Sequence, residues 1–332
     1  MQAKAEPGDP MTARRATILA NGEGRVGIPA AIEALAEGSA LDSVEAGIRV
    51  VESDPRVRSV GVGGAPNILG EMECDAAIMC GATLRTGAVG ALKRYVNAIS
   101  VARQVMERTP HVMIVGEGAA RFAREIGAER GRLLTGEARA DYDKWLRRHV
   151  SASVRARLPR ADLAPLIRRP GAERRGSRTK RVAAAFTHGT VDFLVRTASG
   201  SMAGGISTSG WSYKYPGRLS DSCVIGAGLY VDDRYGAVAC THTGEMIIRA
   251  GVARAVVAYM KKGASVEEAC REAFDDLRSL NGGCLGPVIV HALDRRGQAF
   301  ALTTGRDGGI PYWLWTDGMS KPERLKPVVE AL

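Results

Sequence analysis

A tract in the middle of the chain limits what the rest of it can build. From about Val150 to Lys180 the sequence runs through Pro, Gly, Ser and Arg with no aromatic residue and no sustained periodicity. Such a stretch cannot bury enough apolar surface to offset its ordering entropy, so it reads as a flexible linker, about 150–180, between two structured halves. The charge of the chain sits in the same place. Between Arg147 and Arg181 there are 12 Lys or Arg and 2 Asp or Glu, which accounts for the whole formal net charge of +10; the remaining residues carry 34 of each sign. Basicity therefore belongs to one segment, and the rest of the molecule is neutral.

Within the 332 residues, 45% are apolar and 25% charged, an ordinary globular balance that excludes a disordered, collagen-like or disulfide-scaffold protein. No run approaches the roughly 18 apolar residues of a membrane span. Met1 to Arg15 mixes charges of both signs with Pro7 and Pro10 and has no apolar core, so no secretory signal is expected. Cys74, Cys80, Cys223, Cys240, Cys270 and Cys284 form no CxxC pair and no zinc spacing, which predicts reduced thiols, a cytoplasmic location and no metal centre.

The first half predicts a strand at Ala16–Ala20, a helix at Pro29–Glu37 stopped by Gly38, and a second helix entered through an Asp42–Glu45 capping box and ended near Asp54-Pro55. A glycine-rich stretch (61–70), an apolar run at Ala76–Met79, a helix at Ala98–Arg108, a strand at His111–Val115 and a helix at Gly118–Ile126 follow. Beyond the basic tract, strands are expected at Arg181–Phe186, Val191–Thr197, Met202–Thr208 and Gly236–Thr241. Helices at Glu245–Lys261 and Val266–Leu280 and strands at Val288–Leu293 and Ala299–Thr303 complete the expectation. Closely spaced strands with helices outside them predict an α+β layered domain.

Two motifs invite a binding function. Gly22-Glu-Gly24-Arg-Val-Gly27 is a GxGxxG sequence between a strand and a helix, where a dinucleotide fingerprint belongs. The acids at the right distance, Asp42 and Glu45, open a helix instead of ending a second strand, so the βαβ unit fails. The Arg147–Arg181 tract could serve a non-catalytic protein that holds nucleic acid or acidic partners. It has no interleaved aromatics and no RNA- or DNA-binding motif beside it, so nucleic acid is not the expected partner.

The second half carries the chemistry: His188-Gly189-Thr190-Val191, Ser207-Thr208-Ser-Gly210, Pro216-Gly-Arg218-Leu-Ser-Asp221-Ser, Gly226-Ala-Gly228 and Cys240-Thr241-His242-Thr-Gly244-Glu. These are turn-flanked Thr, Arg and Asp residues at strand ends, where a rigid sheet can present them to one cleft. Hydroxyls in turns are common, and Arg218 with Asp221 could equally be a surface ion pair of little worth. In the first half stand Ser39–Gly47, Val60–Gly64, Leu69–Glu71, Asp75–Met79, Gly87–Gly90 and His111–Glu117.

In these segments together the sequence resembles the glycosylasparaginase and plant-type asparaginase (isoaspartyl peptidase) family of N-terminal-nucleophile hydrolases. The resemblance implies a four-layer αββα sandwich, one domain formed by two chains. These would arise when the precursor cuts itself between Gly189 and Thr190, giving an α chain of 189 residues and a β chain of 143. A freed α-amino group, with an ordinary pKa near ~7.7–8.0, can act as base for the Thr190 hydroxyl, which the uncut amide nitrogen cannot.

By the same resemblance Thr208 supports the Thr190 hydroxyl and Arg218 takes a substrate α-carboxylate. Asp221 and the Gly244 carbonyl take the α-ammonium, and Thr241 with the His242 backbone N–H forms an oxyanion hole. The implied reaction is hydrolysis of a β-aspartyl amide (asparagine, glycosylasparagine or isoaspartyl peptide) without cofactor or metal, by a dimer of αβ units. The chain departs from the family at several places. Asn21 or Gly22 and Ala65 stand where the glycosylasparaginase branch has Trp and Ser, and Gly189 where it has Asp. Asp192 and His242 replace family glycines.

Overall fold

A computed structural model describes residues 15–167, 189–283, 285–305 and 310–330. The expected strand at Arg181–Phe186, with His188, Cys284 and most of the N-terminal extension, lies outside the described residues.

In chain order the elements are β1 (Thr17–Asn21), α1 (Ile28–Glu37), α2 (Ala40–Ser53), β2 (Cys74–Cys80), β3 (Thr86–Leu92), α3 (Ala98–Arg108), β4 (Met113–Val115), α4 (Gly116–Glu125), α5 (Gly136–His149) and α6 (Ala152–Arg155). After the basic tract come β5 (Val191–Arg196), β6 (Met202–Thr208), β7 (Leu229–Asp232), β8 (Gly236–His242), α7 (Gly244–Ala250), α8 (Val252–Lys261), α9 (Val266–Arg278), β9 (Val288–Asp294), β10 (Ala299–Thr303), β11 (Tyr312–Thr316), β12 (Glu323–Leu325) and β13 (Val328–Val329).

Among the described residues the strands form two sheets, β12-β11-β1-β5-β6-β2-β3-β4 and β13-β10-β9-β8-β7. All neighbours are antiparallel except β3 with β4 and β10 with β13. Strand alternation sorts the apolar side chains into three cores. On β5, Val191, Phe193 and Val195 meet Val44 and Ile48 of α2 and Ile99 of α3. On its other face Leu194 meets Leu229, Val231, Ala237 and Leu293 of the second sheet. The far face of that sheet packs Val238, Cys240 and Val290 against Val256 of α8 and Phe274 of α9. Helices, sheet, sheet and helices thus lie in four layers, as expected.

Several local expectations change. The capping box of α2 is Ser39 with Asp42: the Asp42 N–H donates to Ser39 Oγ (3.3 Å) and the Ser39 N–H to Asp42 Oδ2 (2.8 Å). The box therefore opens three residues before the Asp42–Glu45 pattern, and Glu45 instead meets Arg103 of α3 at 2.8 Å. The single helix expected at Glu245–Lys261 is two, because Gly251 adopts φ 61 between α7 and α8, a left-handed backbone that glycine takes without steric cost. The GxGxxG stretch is a 3₁₀ turn leading into α1, and β1 pairs only with antiparallel strands, so no βαβ unit exists there. A Cβ on Gly27 would fall 2.1 Å from the Gly47 carbonyl oxygen, so this glycine allows α1 and α2 to approach.

The linker expected at about 150–180 is corrected over its first half. Residues 150–167 form short helical turns, with Val150 and Leu158 buried beside Tyr142 and Leu146 and against Trp145, Leu163 and Tyr213. Each turn is too short to show a period in sequence. Part of the basicity is explained here too. The Arg155 guanidinium donates to the Leu146 and Arg147 carbonyls at the C-terminus of α5 (3.4 and 3.3 Å), where positive charge is favoured.

Candidate active site

The second-half motifs converge because strand ends and one long loop meet at the same edge of the sandwich. Thr190 immediately precedes β5, Thr208 closes β6, Thr241 and His242 close β8, and Gly244 opens α7. The loop between β6 and β7 brings Arg218 and Asp221. It is held by Asp75, whose carboxylate accepts from the Ser220 N–H and the Ala91 N–H (2.8 Å each). The glycine-rich loop of the first half buttresses it: the Tyr213 N–H donates to the Pro66 carbonyl and the Ile68 N–H to that of Lys214 (2.8 and 3.0 Å).

Thr190 is buried. Asn21 clamps its surroundings, with Nδ2 donating to the Thr190 carbonyl and Oδ1 accepting from the Asp192 N–H. Thr208 differs from its expected partner. Its Oγ1 donates to the Gly189 carbonyl oxygen (3.2 Å) rather than to the Thr190 hydroxyl, and the same Oγ1 accepts from the Gly210 N–H (2.9 Å).

Arg218 and Asp221 are not the surface ion pair that composition would allow. Asp221 is buried, and burial pushes its carboxyl up to about 7, with the Arg218 charge opposing the rise. Arg218 stacks over the Trp211 ring at 4.6 Å and donates through Nε and Nη2 to Glu245 (3.0 and 2.9 Å). Arg218 Nη1 and Asp221 Oδ2 are both buried with no hydrogen-bond partner in this form. Gly244 lies against both residues, since a Cβ there would come 2.6 Å from Asp221 Oδ1 and 3.1 Å from Arg218 Nη2. Arg218 and Asp221 thus flank a wall that only glycine leaves open, and each keeps one unsatisfied buried atom, a cationic donor and a carboxylate oxygen. Buried polar atoms left in this way are costly unless something binds them.

Thr241 and His242 complete the ring of residues. Thr241 Oγ1 lies 3.1 Å from His242 Nδ1, and the Trp211 indole N–H donates to the His242 carbonyl (3.2 Å). His242 has φ 87, a left-handed backbone that suits glycine. Burial holds its imidazole down to about 4, with His291 adding to the shift, so it is neutral at pH 7. All the residues singled out by sequence that fall in the described chain are thus at one site. Sequence reasoning did not single out Asn21 as a clamp, Trp211 as the surface under Arg218, or Glu245 as its partner; Trp211 alone offered a signal, as the tryptophan directly after Gly210 in the stretch between Thr208 and Arg218.

No helix among the described residues is long and apolar enough to cross a membrane, and Cys74, Cys80, Cys223, Cys240 and Cys270 are free thiols.

A family model described as Asparaginase matches residues 26–308. The N(4)-(beta-N-acetylglucosaminyl)-L-asparaginase of Elizabethkingia miricola is 37% identical over 79% of this chain and 65% of its own length, so the chain spans slightly under two thirds of that relative. The rat protein of the same name is 35% identical over 76% of this chain and 74% of its own. A mouse isoaspartyl peptidase/L-asparaginase is 33% identical over 77% and 71%. The chain belongs to the asparaginase family that contains these glycosylasparaginases and isoaspartyl peptidases.

Proposed function

We propose that this protein is an amidohydrolase that cuts β-aspartyl amide bonds through Thr190, after releasing that residue by cutting its own chain at Gly189–Thr190. The observation that carries the substrate class is that Arg218 and Asp221, which both lie against Gly244, each keep a buried atom without a hydrogen-bond partner, Nη1 on the arginine and Oδ2 on the aspartate. A free α-amino acid head group supplies a carboxylate for the first and an ammonium for the second. Planar Arg suits the carboxylate.

With the head group seated there, the side-chain carbonyl of an aspartyl unit extends toward Thr190. The Thr190 hydroxyl attacks that carbonyl, its proton passing to the freed α-amine and then to the leaving nitrogen, and a β-aspartyl ester on Thr190 is left for water to hydrolyse. Thr241 and the His242 N–H are assigned to the oxyanion. For this, His242 Nδ1–H would donate to Thr241 Oγ1, which leaves the threonine hydrogen free to point at the substrate oxygen. Asparagine, glycosylasparagine and isoaspartyl peptides share the head group and differ only in the leaving nitrogen.

Mass spectrometry of the denatured protein tests the reading. A fragment beginning Thr-Val-Asp-Phe is expected, together with turnover of at least one of the three substrates and its loss in Arg218→Ala. A persistent full-length chain with no turnover would overturn it.

A further inference from the structure

Asp192 and His291 are buried against each other between the two sheets, and the reaction described above uses neither. Asp192 lies two residues beyond Thr190, so the alternation of β5 directs both side chains toward the second sheet, on the face that Leu194 continues. His291 comes from β9 on the face of Leu293. Its Nδ1 is 3.0 Å from Asp192 Oδ2, with both residues at 1% exposure or less. The contact is not aligned as a hydrogen bond, and the two carboxylate oxygens and two ring nitrogens have no other partner. A buried carboxylate and imidazole, in contact with each other and otherwise unsatisfied, are costly to keep.

The proposed self-cleavage needs a group of this kind. Before the cut, the Thr190 nitrogen is an amide and cannot accept the hydroxyl proton, and Gly189 has no side chain to do so. A carboxylate that orients an imidazole beside a hydroxyl is a general base arrangement. Residues i and i+2 of a strand stand about 6.6 Å apart on one face, so Asp192 and the imidazole against it lie on the Thr190 side of the sheet.

We propose that Asp192 and His291 are the proton-accepting pair for the cut at Gly189–Thr190, with Asp192 holding the imidazole and Nε2 taking the Thr190 hydroxyl proton through one water. The inference rests on the reading of Thr190 as a self-released nucleophile. In the step, Thr190 Oγ bonds to the Gly189 carbonyl carbon, whose oxygen Thr208 already holds. The Gly189–Thr190 C–N bond then breaks, and the proton passes from His291 to the departing nitrogen, which becomes the free amine. Water hydrolyses the resulting ester, leaving the Gly189 carboxylate and restoring the hydroxyl.

Among the described residues, the other ionisable groups facing the pair are His242 at the end of β8 and the Tyr312 phenol of β11, whose ring is 6.0 Å from His291. Cys240 points to the helical side of its sheet, and the β10 neighbour of His291 is Ala301. Glu23 is the rival base, since its Oε1 lies 2.8 Å from where a Cβ on Gly189 would sit.

The test follows cutting of freshly synthesised full-length chain from a cell-free system by mass spectrometry across a pH series. Wild type should cut faster as pH rises, as a step that needs a free base does. His291→Gln should be slowed about 100-fold or more and lose that limb. Asp192→Asn should be slowed about 10-fold and keep it, and the double variant should be no slower than His291→Gln alone. Because removing one partner strands the other, thermal unfolding is measured alongside; the double variant carries no buried charge at the pair and keeps the test open if a single one misfolds. A folded double variant that cuts at the wild-type rate overturns the proposal, as does loss of cutting in Glu23→Gln with His291→Gln unaffected. A wild-type chain that never cuts removes the reading of Thr190 and this proposal with it, an outcome distinct from the others because in those the wild type does cut.

Discussion

Thr208 at the end of β6 donates its hydroxyl across 3.2 Å to the carbonyl oxygen of Gly189, the carbonyl of the peptide bond that ends at the Thr190 nitrogen. A donor in that position stabilises negative charge on the oxygen when the carbon is attacked. Thr208→Val keeps the shape and removes the donor, and should slow appearance of the Thr190 fragment by about 10²-fold or more. Thr208→Ser should stay within about tenfold of wild type. The time course of full-length chain on a denaturing gel decides between them.

On the proposed reading Asp221 takes the substrate ammonium only when ionised, and burial pushes its carboxyl up to about 7. The KM for asparagine should therefore rise as pH falls below about 7, and approach about tenfold per pH unit. Binding at pH 6 should release a proton, seen as a buffer-dependent enthalpy in calorimetry. Asp221→Asn should raise KM at all pH values and abolish the dependence.

His242 combines φ 87 with an imidazole that burial holds down to about 4. Its folded pKa lies below the unfolded one, so the unfolded chain takes up the proton first. Stability is lost as pH falls from about 6.5 toward 4. His242→Gly removes that proton uptake and the backbone strain. Between pH 7 and pH 5 its urea stability should fall about 2 kcal/mol less than that of wild type.

Glu52, fully buried between α2, α3 and β6, shows the opposite sign. Burial raises its carboxyl to about 8, although the Ser207 hydroxyl and the Ile99 N–H donate to it. The folded state therefore keeps a proton that the unfolded state gives up, and stability is lost as pH rises from about 4.5 through about 8. Glu52→Gln, similar in shape and always neutral, should show a urea midpoint that changes less between pH 6 and pH 9.

The elements whose periodicity extends over several turns or rungs were legible in the sequence. α3 and β6 lie where Ala98–Arg108 and Met202–Thr208 predicted them, because each carries its apolar residues at one clear spacing. β11 to β13 and α5 were not anticipated; α5 is mostly charged on its exposed faces and buries only Ala138, Tyr142 and Leu146. Thr190, Thr208, Arg218, Asp221 and Thr241 were found through a family pattern, since hydroxyls in turns announce nothing by themselves. Asn21, Glu245 and the Asp192–His291 contact depend on which strands become neighbours, and no local spacing records that.

The order of the eight-stranded sheet has a consequence for a chain broken at Gly189–Thr190. Strands from before that bond (β1, β2, β3, β4) and after it (β5, β6, β11, β12) alternate in blocks, so β1 is gripped on both sides by β11 and β5, and β6 by β5 and β2. The two fragments would meet along three backbone ladders in the middle of one sheet. They could not exchange partners between molecules without melting that sheet, and dilution alone would not separate them. The pair would behave as one cooperative body, and its reassembly after denaturation would become a second-order reaction where that of the parent chain was first-order.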